Sequence, residues 1–184
     1  MNLTNSARGY GWITIVMHWL VAVAVLGLFA LGIWMVDLSY YSDWYHDAPF
    51  IHKSVGVLLV GLMLFRWVWT LVNPKPAPAS VSSRAVAFLI SAMHAVLYLL
   101  VFLLGVSGYL ISTAEGHGIS VFDWFTVPAL IEPFEDQADL AGEIHELLAF
   151  VLIGLVVLHA LAALKHHFIN RDNTLKRMLK PSGK

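Results

Sequence analysis

The chain has 184 residues, 59% of them hydrophobic and 12% charged, with a formal net charge of -1 and no cysteine. Soluble domains run about 45–50% apolar and about 25% charged. The composition therefore excludes an ordinary soluble domain and a disordered chain, and the missing cysteines exclude a disulfide-stapled secreted fold. Nine histidines beside eleven Lys and Arg residues are too many for so apolar a chain.

A membrane-spanning helix needs roughly 20 mostly apolar residues. No formal charge lies between Arg8 and Asp37, which gives a first span over residues 12–36. That run is too long for a signal-peptide core and no small-residue cleavage site follows it. Residues 51–72 form a second span whose charges, Lys53 and Arg66, sit near its ends and can snorkel to the headgroups. The uncharged gap between Arg84 and Glu115 gives a third over 85–113, and 144–168 gives a fourth. Pro74, Pro76 and Pro78 mark a short linker between the second and third spans, and Ser82 or Ser83 is placed to cap the third helix. The stretch 119–130 mixes aromatics with acids and reads as a short interfacial helix over the bundle. The expected fold is all-α: one integral membrane four-helix domain covering the whole chain, without internal repeats.

With four spans, both termini and the middle linker share one side. Ten of the eleven basic residues fall on or near that side, and only Lys53 lies on the other. Eleven of the twelve acids do the opposite, Asp172 being the exception. By the positive-inside rule both termini are cytoplasmic. Trp12, Trp34, Tyr40, Tyr41, Trp44, Tyr45, Trp67, Trp69 and Trp124 cluster near the expected interfaces, as aromatic belts do.

Ionisable groups inside a span are costly and default to functional candidates. His18 lies in the cytoplasmic half of the first helix, His52 at the outer start of the second, and His94 in the cytoplasmic half of the third. His145 and His159 are fourteen residues apart on the fourth. That interval is close to four turns, about 21 Å of rise, so both lie on one face near opposite membrane surfaces. Such a helix suits two stacked haems, each taking its second imidazole from another helix at matching depth. His52 partners His145 in the outer layer, and His18 partners His159 in the inner. The same interval links His18 to Gly32, His52 to Arg66 and His94 to Gly108. A glycine there lets a flat macrocycle approach the backbone, with plain helix packing as the competing explanation. Arg66, at the inner level, suits a haem propionate.

Bis-histidine haem b is a six-coordinate electron-transfer site. No Asp or Glu lies in the middle of any span, which speaks against a proton-coupled carrier. A histidine-lined metal transporter is the remaining transport reading, but its ligands would line one path instead of forming two layers. His94 shares the inner layer with His18 and His159. It is open between a ligand, a quinone-site or propionate neighbour, and a helix–helix hydrogen bond. His166, seven residues beyond His159, suits proton exchange with a quinone or a basic helix end facing headgroups. His46 and His117 belong to solvated outer loops, and His167 points elsewhere.

Residues 10–20 (YGWITIVMHWL), 52–56 (HKSVG), 93–99 (MHAVLYL) and above all 142–179, ending in DNTLKRM at 172–178, resemble the prokaryotic cytochrome b561 family of small four-helix dihaem membrane proteins. The loops 37–50 and 116–139 carry no such resemblance. The resemblance implies His18 with His159 at the inner haem b and His52 with His145 at the outer, leaving His94 out. It also implies electron exchange with membrane ubiquinone, and superoxide as the outer donor. Lys53, beside His52, is then the local attractor for the anion, although the acidic outer surface repels superoxide at long range. Taken with the spans and charges, the resemblance implies a cytochrome of the bacterial inner membrane that oxidises superoxide and reduces ubiquinone, with Lys53 and His166 at the reacting ends. The alternative is a cytochrome anchor subunit whose acidic loops dock a peripheral hydrogenase or dehydrogenase. A homodimer is compatible with either reading, and no nucleic-acid partner is expected.

Overall fold

The computed structural model describes residues 2–77 and 83–181. It contains four long helices: α1 (Trp12–Val36), α2 (Asp47–Val72), α3 (Arg84–Thr113) and α4 (Gln137–Phe168). All four are long and apolar enough to cross a membrane. A two-stranded hairpin, β1 (Ile119–Val121) with β2 (Phe125–Val127), lies between α3 and α4, and a single-turn helix α5 (Thr174–Arg177) follows α4. Large apolar side chains face outward along the helices: Val23, Phe88, Leu147 and Leu158 are 69, 71, 65 and 56% exposed. In water that surface would drive aggregation; in a hydrocarbon phase it is already solvated, and the backbone is satisfied within each helix.

The expected spans agree closely with α1 and α3. The other two helices begin earlier, α2 at Asp47 and α4 at Gln137. The reason is that a helix need not stop where apolarity does. Asp47 and Asp139 sit in first turns, where the N-terminal end of the dipole favours a carboxylate. Gln137, 2% exposed, also fastens the start of α4. Its Nε2 donates to Leu110 O (2.8 Å) and its Oε1 accepts from Phe134 N–H (3.3 Å).

Local chemistry fixes the other ends. The N-terminal segment folds back to satisfy the first N–H groups of α1, which have no intrahelical partner. Trp12 N–H donates to Asn2 O and Ile13 N–H to Leu3 O, while Asn5 Oδ1 accepts from Gly11 N–H and from Thr14 Oγ1. Only glycine fits at residue 11, because a Cβ there would strike the Leu3 and Thr4 carbonyl oxygens. Ser83 caps α3, its Oγ accepting from Val86 N–H (3.3 Å). Ser82 and Pro78 lie outside the described residues.

The interfacial helix expected over 119–130 is instead the β hairpin. Val121 O accepts from Trp124 N–H (2.9 Å), with Phe122 and Asp123 both at positive φ (47° and 57°). Two consecutive left-handed residues make a type I′ turn, whose twist matches paired antiparallel strands. Ser120 Oγ donates to Asp123 Oδ1 (2.9 Å) and steadies that turn. The apolar–polar alternation through Ile119, Ser120 and Val121 matches their buried, half-buried and buried positions.

The chain divides into two compact units. One comprises Met1–Ala22, Leu62–Tyr98 and Gly154–Lys184; the other comprises Val23–Gly61 and Leu99–Ile153. Each contains a stretch of all four long helices. In the first, Trp69 Nε1 on α2 donates to Thr14 Oγ1 on α1 (3.0 Å). In the second, Phe29 of α1 meets Phe150 of α4 edge-on at 5.5 Å. There α2 and α3 approach so closely that a Cβ on Gly105 would lie 2.5 Å from a Val60 methyl.

Candidate haem-binding histidine sites

Within the second unit, α2 brings His52 opposite His145 of α4, with ring centroids 6.2 Å apart and planes at 66°. A glycine backs each ring. A Cβ on Gly32 of α1 would lie 3.3 Å from His52 Cε1, and one on Gly108 of α3 would lie 3.3 Å from His145 Cε1. The clearance these glycines provide is thus taken up by imidazoles. His145 Nδ1 lies 2.9 Å from the Ser107 hydroxyl, a contact the sequence reading missed. Ser107 is 4% exposed, and its single proton goes to Leu103 O (3.0 Å) or Leu104 O (3.2 Å). With the hydroxyl proton given to either carbonyl, its oxygen accepts from His145 Nδ1–H, and that tautomer leaves Nε2 with its lone pair. The only signal for Ser107 in the sequence was its place one residue before Gly108. His52 Nδ1 is buried without a hydrogen-bond partner.

Lys53 is exposed on the turn that carries His52. Ser54 beside it is fully buried and accepts from Phe122 N–H (3.1 Å), and Phe50 meets the Phe122 ring at 6.0 Å. The hairpin is therefore fastened to the same end of α2 that presents His52 and Lys53.

Within the first unit, His18 of α1 stands opposite His159 of α4, centroids 6.3 Å apart and planes at 63°. His94 of α3 is nearer His159, at 5.3 Å and 81°. It is exposed, and its Nδ1 donates to Ile90 O one turn earlier (2.7 Å). Arg66 of α2 joins the cluster: its Nη2 lies 3.3 Å from His18 Nδ1, and its Cζ is 5.4 Å from the centre of the Tyr98 ring. Arg66 Nε is buried without a partner. Farther along α4, His166 Nδ1 pairs with Asp172 Oδ2 at 2.6 Å, and Asn170 Nδ2 lies 3.3 Å from the same nitrogen. That carboxylate, just past the helix end, was the one acid the charge pattern left on the basic side. His46 and His117 are exposed, as expected of loop residues, and His167 packs edge-on against Phe168 (4.8 Å).

The pair separations carry chemical meaning. A metal–imidazole bond is about 2.0 Å and the ring centre lies about 1.1 Å beyond the nitrogen, so two imidazoles trans across one ion stand about 6.2 Å apart. His52–His145 and His18–His159 have that separation, and His94–His159 is about an ångström too close for it. Among the described residues, no three His, Cys, Asp or Glu side chains gather to hold a bare metal ion. Two opposed imidazoles suit an ion whose other positions are filled by a macrocycle.

The profile of the prokaryotic cytochrome b561 family matches residues 9–181. Cytochrome b561 homolog 2 of Escherichia coli (strain K12) is 50% identical over 183 residues, covering 100% of this chain and 97% of that protein. A probable superoxide oxidase of Yersinia pestis is 33% identical over 182 residues, covering 94% of this chain and 96% of that protein. Cytochrome b562 of Cereibacter sphaeroides is 28% identical over 178 residues, covering 94% of this chain and 96% of that protein. With four apolar helices and paired histidines on them, the chain belongs to the prokaryotic cytochrome b561 family, whose members are helical membrane cytochromes that carry electrons on haem b.

Proposed function

We propose that this cytochrome holds two haem b groups, one between His52 and His145 and one between His18 and His159, and moves electrons from superoxide to ubiquinone. The observation that carries the reading is the pair of imidazole ring separations, 6.2 and 6.3 Å, each wide enough for a metal ion to be held between the two rings. Held by such a pair of imidazoles, haem b would supply a one-electron redox centre. The protein's residues supply the rest. Ser107 holds His145 in the tautomer that offers Nε2, and Gly32 and Gly108 seat the two rings. Such outer contacts fix ligand orientation and basicity. Arg66, with a buried unpartnered Nε, offers its planar fork to a propionate.

Both termini face the cytoplasm of an inner membrane in this reading, which follows from the basic residues gathered on their side. Lys53 at the opposite end attracts the superoxide anion locally, against the field of the surrounding acids. Each superoxide releases one electron and leaves as dioxygen. Two such transfers reduce one ubiquinone, which takes up two protons. His166, in the basic last turn of α4 and paired with Asp172 at 2.6 Å, hands protons to the quinone in this reading. The 33% identity to a probable superoxide oxidase over most of both chains supports superoxide as donor.

The test is the holoprotein with ubiquinone in sealed liposomes, superoxide being generated outside. Quinol should form faster than in empty vesicles. Quinol at background rate, in a preparation with two haems per chain, would remove superoxide and leave the cytochrome. The acidic loops favour one other reading, an anchor for a peripheral dehydrogenase or hydrogenase; co-purification of such a subunit distinguishes it.

A further inference from the structure

The segment after α4 carries a concentration of charge that electron transfer does not use. Asn173, Lys176, Arg177 and Lys180 recur at helical spacing. The backbone is helical there: α5 covers Thr174–Arg177, and Leu179 and Lys180 N–H both donate to Lys176 O (3.1 and 3.0 Å). The four residues therefore share one face. With Arg8 they line an open cleft of about 310 Å³, four cations and an amide around one space.

The cleft is built by fixed contacts. Trp19 Nε1 donates to Met178 O (2.7 Å), and Arg177 Nη1 donates to Ala77 O (2.6 Å). Ala77 N–H in turn donates to Ala7 O (3.0 Å), beside Arg8. Asp172 Oδ1 accepts from Thr174 N–H (2.8 Å) and so fixes the entry to the turn. Gathering like charges around one space is unfavourable, and an anion within it reverses the sign. The other face of the same turn is apolar, with Leu175, Met178 and Leu179, and Leu179 is 49% exposed. Phe168 and Ile169, at the end of the membrane helix, are 69 and 72% exposed. A soluble phosphate would use the cations alone, whereas a lipid uses both faces. Basic pockets at the ends of membrane helices are suited to anionic headgroups.

We propose that this cleft binds the phosphate headgroup of an anionic phospholipid through Arg8, Lys176, Arg177 and Lys180. The lipid's chains lie along the apolar face of the turn and the end of α4, so it fastens the C-terminal segment to the membrane surface.

The test uses haem-loaded protein in a neutral detergent, with adducts counted by native mass spectrometry. Phosphatidylglycerol, phosphatidylcholine of the same chain length and inorganic phosphate are titrated separately. Phosphatidylglycerol should give a saturable adduct at least tenfold tighter than phosphatidylcholine. The K176A/K180A variant should bind it about thirtyfold more weakly, while K176R/K180R and R84A, the latter outside the cleft, should bind like the parent. The haem absorption spectrum reports whether each variant is folded. Wild-type binding should also weaken as salt rises, a readout independent of any variant. Equal affinity for the two lipids, or undiminished phosphatidylglycerol binding by K176A/K180A, overturns the proposal. Binding of inorganic phosphate without a phosphatidylglycerol adduct overturns the lipid and leaves a soluble-phosphate site.

Discussion

Substituting Gly108→Ala separates the site from the helix that carries it. On propensity alone the change should stabilise α3, since glycine in a helix interior costs about 1 kcal/mol relative to alanine. The new methyl, however, would lie 3.3 Å from His145 Cε1 and 3.5 Å from its Nδ1. Carbon–carbon contacts are optimal at about 3.5–4.0 Å, so the ring must retreat by a few tenths of an ångström. Its Nδ1 is already engaged by Ser107 at 2.9 Å, which limits how it can turn. Metal–ligand distances tolerate about 0.2 Å, less than the retreat required. With one haem at each histidine pair as proposed, haem content per chain, measured as the pyridine haemochrome, should fall from two toward one, the lost group being that of the His52–His145 pair. Gly154→Ala is the control: Gly154 lies nine residues from His145, on the opposite side of α4, and has nothing within 4 Å of its Cβ position. It should keep both haems. A full complement in Gly108→Ala, or equal loss in both variants, would refute the reasoning.

Ser107→Ala removes the hydroxyl that lies 2.9 Å from His145 Nδ1; removing such a contact typically lowers metal-site affinity 10–100-fold. Haem loss from the second unit during dilution or detergent exchange should accelerate accordingly, with Ser107→Thr restoring retention. His94→Ala should keep both haems, because His94 stands too near His159 (5.3 Å) for the two to share an ion in trans; loss of one haem in that variant would make His94 a ligand. Gly11→Ala should lower thermal stability by about 1–3 kcal/mol, the usual cost of overpacking, since its methyl meets the Leu3 and Thr4 carbonyls that fold over α1. A melting curve followed by circular dichroism measures this, and the haem spectrum should be unchanged at ambient temperature.

The helices were legible because hydrocarbon demands long uninterrupted apolar runs, and α1 between Arg8 and Asp37 is the clearest instance. Their charged extensions were not. The first turns of α4 carry Asp139 and Glu143 and look like loop by hydropathy, yet Gln137 fastens them to Leu110 O at 2.8 Å. That contact joins residues 27 apart, and no local pattern announces it. The hairpin was missed for a related reason. Its turn uses Phe122 and Asp123 at positive φ where Asn-Gly would have been the readable signal. The strain of a left-handed phenylalanine is tolerated because its N–H reaches the Ser54 hydroxyl at 3.1 Å, 68 residues away.

The histidine pairs were legible for a different reason: depth in a membrane is read from position along a helix, so imidazoles at equal depth can be matched without knowing the packing. The fourteen-residue interval was visible too, but its meaning was not. Gly32 and Gly108 follow His18 and His94 by fourteen residues on α1 and α3. The sequence suggested that these glycines clear space for a macrocycle. In the structure each abuts an imidazole, Gly32 that of His52 and Gly108 that of His145, both at 3.3 Å. The interval therefore has a mechanical basis. Fourteen residues return the chain to nearly the same face of a helix, so on α1, α2 and α3 the face that presents one histidine also presents, about four turns on, the residue that a neighbouring helix's histidine meets. On α1 and α3 that residue is glycine; α2 carries Arg66 there, and Arg66 reaches His18 at 3.3 Å instead of making room. Exchanging Gly32 for any larger residue should thus disturb His52 and leave His18, on the same helix, undisturbed.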